Sequence, residues 1–192
     1  MNRRTLLAFG AGLLTALSLG WLGLPAFLYA RAEQPAAFNH KLHTSQAGLA
    51  CQDCHAVRAD GSFSGIPPVA KCAECHGEPL GTSVAEKRLV EEFITPGREI
   101  PWRVYARQPD NVRFPHALHV GRAGIGCERC HGPHGTSETL RPYEANRLSG
   151  YSRDIWGPSL SRLGRRPGEG MKMSDCEGCH APARTSCLAC HR

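Results

Sequence analysis

The sequence predicts a mostly irregular and α-helical chain with little β structure, an interior filled by something other than side chains, and one N-terminal transmembrane helix. Three observations predict it. Residues 5–30 of the 192 carry no charge. Beyond Ala30, Leu, Ile, Val and Phe supply only 26 of 162 residues, a level at which an ordinary chain does not collapse. The same chain holds ten Cys and ten His, and no near-continuous Val/Ile/Leu run of the kind a sheet buried on both faces needs. A conventional α/β enzyme domain is therefore excluded.

The first element is the apolar segment. As a helix its 26 residues extend about 39 Å, enough to cross a hydrocarbon core of about 30 Å. Arg3 and Arg4 precede it, and Trp21, Phe27 and Tyr29 lie toward its far end, which predicts an N-inside helix with the rest of the chain in the periplasm. Ala8, Gly12, Ala16 and Gly20 recur every four residues and offer a face on which a partner's membrane helix could pack. The competing reading is a cleaved signal peptide, because Ala30-Arg31-Ala32 fits a small-x-small cleavage site.

The cysteines follow one rule. All ten belong to five C-x-x-C-H strings: Cys51, Cys54, His55; Cys72, Cys75, His76; Cys127, Cys130, His131; Cys176, Cys179, His180; and Cys187, Cys190, His191. This spacing lets two thiols add to the vinyl groups of one haem while the next imidazole reaches its iron from the same side. Zinc ribbons and disulfide frameworks also use many cysteines, but neither needs a histidine after each second one. Five covalently bound haem c groups are the expected filler of the interior.

Five histidines remain for the second axial position of each iron: His40, His43, His116, His119 and His134. Phe38–His55 aligns without a gap on Phe114–His131 at an offset of 76, with identity at nine of 18 positions, so the chain contains an internal duplication. In each copy two histidines three apart share a helical face, stand seven residues before a haem motif, and can serve two different irons. His134 lies in a Gly/Pro context where a free loop histidine is the alternative. Met171 and Met173 are then the substitutes, and a methionine ligand would raise that haem's potential. The expected division is residues 1–32 for the stub and anchor, 33–99 for a module with two haems, and 100–192 for a module with three.

Between motifs, Ser83-Val84-Ala85-Glu86 reads as a capping box opening a helix whose Leu89, Val90, Phe93 and Ile94 pack inward, closed by Pro96-Gly97. Residues 132–175, with Tyr143, Tyr151 and Trp156, form the longest stretch without a motif and read as a docking loop. The formal charge of +6 is misleading, since five haems bring roughly −5 when oxidised and −10 when reduced through their propionates. Arg165, Arg166 and nearby arginines suit propionate or partner contacts, and no nucleic-acid motif is present.

The doubled F-x-H-x-L-H followed by C-x-x-C-H resembles the class III multihaem cytochromes c. The resemblance implies that His40 ligates the haem of Cys51 and Cys54, and His116 that of Cys127 and Cys130, while His43 and His119 serve other haems of their modules. The five-haem total and the long gap from His131 to Cys176 depart from the small soluble members. The string IPWRVYARQPDNVRFPHALH, from Ile100 to His119, is further similar to the membrane-anchored pentahaem and hexahaem subunits of alternative complex III and the menaquinone reductase complex. What it implies is a periplasmic relay of electrons between a quinone-handling integral membrane subunit and other redox subunits or a soluble cytochrome, with no catalytic residue of its own. The alternative is a multihaem reductase of a small oxyanion or sulfur compound, in which one haem keeps an open position.

Overall fold

The computed structural model describes residues 2–106, 108, 110–150 and 173–191. Met171, Tyr151, Trp156, Arg165 and Arg166, singled out above, lie outside the described residues. The chain begins with helix α1 (Arg3–Leu28), long and apolar enough to cross a membrane, with none of its most apolar window covered by the rest of the protein. Asn2 caps it by accepting from the Thr5 N–H at 2.9 Å. A wide π turn at Leu19–Gly23 interrupts it where Gly20 and Gly23 weaken helix propensity.

Strand β1 (Tyr29–Ala32) follows at once and pairs antiparallel with β2 (Tyr143–Asn146), Tyr29 facing Asn146 and Ala32 facing Tyr143. This two-stranded ladder is the whole sheet, so β structure is sparse as expected among the described residues. Arg147 ties the junction further: its N–H donates to Leu28 O at 2.8 Å and its Nε–H to Phe27 O at 2.8 Å.

Short helices follow: α2 (Cys51–Cys54), α3 (Val69–His76), α4 (Val84–Leu89), α5 (Glu128–His131) and α6 (Met173–His180), all but α4 carrying cysteine motifs, with a 3-10 turn at Cys187–Ala189 for the last motif. Side chains alone build one small core. Val69, Phe93 and Ile100 are buried against one another, with Ala36, Leu89, Ile94 and Trp102 packed around them. Leu89, Val90, Phe93 and Ile94 thus do turn inward, at the end of α4 and along its continuation Val90–Ile94, while Val84 at its start stays exposed. The capping box does not form: Ser83 makes no side-chain cap, and Glu86 is drawn elsewhere.

The duplicated segments fold alike and interlock. In each, a wide turn closes with matching bonds, Ala47 N–H to Leu42 O and Leu49 N–H to His43 O in the first, Ala123 N–H to Leu118 O and Ile125 N–H to His119 O in the second. Gly48 and Gly124 hold φ of +69° and +64°, a conformation that penalises any Cβ, which explains their identity. The hairpin after the first motif sits on the second copy, with Gly61 against Ala117 and the Phe63 ring stacked 4.0 Å from His116. Reciprocally, the turn after the third motif sits on the first copy, where Lys41 N–H donates to Ser137 O and Thr44 Oγ1 donates to Gly135 O. Positions 61 and 137, and 117 and 41, are equivalents under the 76-residue offset, so the two copies clasp each other about a pseudo-twofold relation.

Candidate haem-binding sites

Each C-x-x-C-H string occupies one helical turn. His55, His131 and His191 N–H groups donate to the carbonyls of Cys51, Cys127 and Cys187, four residues back. Both thiols and the imidazole of a motif therefore fall on one side of a turn, as attachment to one planar group requires. None of the ten cysteines is in a disulfide. Among the described residues no three His, Cys, Asp or Glu side chains converge as a metal site, whereas structural zinc needs four.

The histidine rings are spaced in a telling way. An imidazole nitrogen sits about 2 Å from a transition metal and about 1 Å from its ring centre, so two trans imidazoles on one metal have centres about 6 Å apart. Four ring pairs have this spacing: His43 and His76 at 6.1 Å, His116 and His131 at 6.3 Å, His119 and His180 at 6.0 Å, and His40 and His134 at 6.2 Å. In the first three a motif histidine faces one from an F-x-H-x-L-H string. The residues present thus fit bis-imidazole haem. The fourth pair joins two histidines outside the motifs. Among the described residues His55 has Phe63 as its ring neighbour, at 6.4 Å, and His40 is also close enough for His55 to influence its charge. Met173 opens α6 and is half exposed.

The ring orientations have identifiable causes. Nδ1 of His43 donates to Asn39 O at 2.8 Å, that of His119 to Pro115 O at 3.0 Å and that of His55 to Gly65 O at 2.7 Å. His40 Nδ1 lies 3.2 Å from Ser137 Oγ, His180 Nδ1 3.1 Å from Thr185 Oγ1, and His76 Nδ1 2.8 Å from Glu86 Oε1. Holding Nδ1 this way leaves Nε2 as the free donor for iron. Burial holds His40 down to about 4, with the neighbouring His134, His55 and His43 adding to it. It also lowers His116, His131 and His134. These rings are neutral near pH 7, the form that binds a metal.

Several contributors were not singled out from the sequence. Phe38 stacks on His43 at 4.3 Å and meets His40 edge-on at 4.7 Å; Phe114 does the same to His119 and His116 at 4.3 and 4.9 Å. One phenyl ring thus sets the angle of two imidazoles, and its recurrence in both copies was the available signal. Ser64 Oγ is buried without a partner among the described residues, next to the Gly65 carbonyl that anchors His55, and is a donor suited to a polar group of the haem.

The motifs also neighbour one another. Burial raises the thiols of Cys51, Cys72, Cys130 and Cys176, and adjacent thiols add to the effect. Cys127 stands against Cys51, Cys54 near Cys72, Cys179 near Cys130, and Cys190 near Cys176.

Residues 42–143, just over half of the chain, match the family described as cytochrome c3. Over 204 aligned positions the chain is 37% identical to a protein of Nitratidesulfovibrio vulgaris strain Hildenborough named "Menaquinone reductase, multiheme cytochrome c subunit", with 96% of this chain and 89% of that one covered. Similarity over nearly the full length of both, on top of clasped F-x-H-x-L-H repeats whose histidines stand one metal apart, means that the chain belongs to the cytochrome c3 family, electron-transfer proteins that hold several c-type haems covalently.

Proposed function

We propose that this chain is the haem-bearing subunit of a membrane menaquinone reductase complex, carrying five haems on the periplasmic side. The observation that carries the reading is the set of three ring pairs in which a motif histidine faces a second histidine at 6.0–6.3 Å. An iron with two protein ligands has no position for a substrate, so such haems relay electrons. His43 with His76 would hold the haem of Cys72 and Cys75, His116 with His131 that of Cys127 and Cys130, and His119 with His180 that of Cys176 and Cys179. The duplication assigns His40 to His55 and the haem of Cys51 and Cys54. For the haem of Cys187 and Cys190, on His191, the sixth-ligand candidates left over are His134, Met171 and Met173; the 6.2 Å pairing of His134 with His40 favours a methionine there. When bound, each haem supplies a one-electron ferric/ferrous couple. The protein's part is to fix the imidazoles through Nδ1, to orient them with Phe38 and Phe114, and to keep the groups adjacent. Thiol proximity gives the order of the row: Cys72/Cys75, Cys51/Cys54, Cys127/Cys130, Cys176/Cys179, Cys187/Cys190.

Retention of α1 as an anchor is supported by β1. The segment that a signal peptidase would cut, Ala30-Arg31-Ala32, is paired in the ladder with β2, and removing residues 1–32 would strip β2 of its partner. Arg3 and Arg4 before α1 support the N-inside orientation. The modules 33–99 and 100–192 would carry two and three haems and fold as one clasped body. The integral quinone-handling subunit is the expected partner of α1. The test is gentle detergent extraction: the chain should copurify with an integral membrane partner, have a mass increased by five haems, and give only low-spin ferric resonances. A chain released by lysis without detergent, or a high-spin signal from an open iron, would overturn the tethered-relay reading.

A further inference from the structure

Six histidines have a described Nδ1 partner, and five of those partners are neutral: the carbonyls of Asn39, Gly65 and Pro115 and the hydroxyls of Ser137 and Thr185. His76 differs. Its Nδ1 lies 2.8 Å from a carboxylate oxygen of Glu86, and the two side chains are only 19% and 15% exposed. The carboxylate is itself pinned, accepting from Leu80 N–H at 3.0 Å and Gly81 N–H at 3.1 Å. Those two donors fix the carboxylate against His76 and prevent it from swinging away. A hydrogen bond from a ligating imidazole to a carboxylate raises the ligand's basicity, and a more basic donor favours ferric over ferrous iron. A carbonyl or hydroxyl does this far less, because it carries no net charge.

We propose that Glu86 gives the haem of Cys72 and Cys75 the lowest potential in the chain, by drawing on the Nδ1 proton of His76 and so strengthening His76 as an iron donor. The inference rests on the reading of His43 and His76 as that haem's two ligands. Glu86 is a positioning and tuning residue, since it touches the ligand and not the iron. With this motif at one end of the row, that end is the more reducing one, and electrons run downhill from it toward Cys51 and Cys54.

The test uses the full chain, haem-loaded and detergent-purified, carrying Glu86→Gln. The amide oxygen of Gln can still accept from His76 and from Leu80 N–H, while its NH2 faces the Gly81 N–H, so one loop hydrogen bond is lost together with the charge. In a spectroelectrochemical titration the lowest potential should rise by about 59 mV, a tenfold loss of ferric preference for a one-electron couple, with the other potentials and the haem content unchanged. The ferric low-spin signal of that same haem should widen in g-spread in Glu86→Gln, with the other low-spin signals unmoved, because losing the carboxylate weakens His76 as a donor while the ring angles stay as they are. Unmoved potentials in Glu86→Gln, or a low-spin signal of the lowest haem that does not shift, would overturn the proposal. A His76→Met variant separates this from failure of the ligand reading: if every low-spin signal survives His76→Met unchanged, His76 is not a ligand at all.

Discussion

The two copies of the duplicated segment share a backbone but not a set of partners. His43 and His119 occupy the same turn, are stacked by the equivalent Phe38 and Phe114, and each faces the histidine of the motif after its own copy's, His76 and His180. The leading histidines diverge. His116 lies nearly parallel to His131 of its own motif, at 7°, whereas His40 is tilted 46° to His134. The cause is in the loops after each motif. His134 stands where the first copy has Arg58, Ser137 where it has Gly61, and Thr139 where it has Phe63. The second copy's loop therefore presents His40 with an imidazole and a hydroxyl, while the first copy's loop presents His116 with a phenyl ring. Duplication preserves the turn that aims a histidine; the loop from the other copy decides what surrounds it.

The sharpest way to break this comparison is at the leading histidines. His116→Met should convert the haem of Cys127 and Cys130 to His/Met ligation and raise its potential by on the order of 0.1 V or more, within the roughly 0.8 V that axial ligands command. His40→Met should do the same to the haem of Cys51 and Cys54. Redox titration of both variants checks it, and a shift in the haem of Cys187 and Cys190 instead would mean that the copies are wired differently.

Phe63→Ala removes the ring on His116 and should cost about 1–2 kcal/mol, because Phe63 is 36% exposed and only part of its area is recovered by water. Thr139→Ala at the equivalent position should cost much less, and thermal unfolding of the two variants measures the asymmetry. Gly48→Ala and Gly124→Ala test the symmetric part. Each forces a Cβ into positive φ and should cost about 1 kcal/mol, equally in the two copies. The smallest effect belongs to Lys41→Ala, which breaks the exposed 2.7 Å pair with Glu138; its melting point should correspond to a change within about 0.5 kcal/mol.

How far the residues could be read in advance depended on distance along the chain. The C-x-x-C-H turns, the paired histidines and the apolar α1 are local patterns, the longest of them the 26 residues of α1. Glu86 was misread because Ser-x-x-Glu is also a local pattern, but His76 and two loop N–H groups compete for the same carboxylate and hold it. The ladder of β1 with β2 joins residues more than a hundred positions apart, and neither strand alternates strongly enough to announce itself.

The sequence by itself determined that aliphatic side chains cannot fill the interior, because too few of them remain, and that every cysteine stands in a C-x-x-C-H string suited to haem attachment. It also determined which imidazoles are available, since ligand chemistry resides in residue type and short spacing. Tertiary structure decided which imidazole faces which, what anchors each Nδ1, and how the two copies clasp. Those depend on loops crossing from one repeat to the other, and a ring's partner is set by where the chain returns in space rather than by its neighbours in sequence.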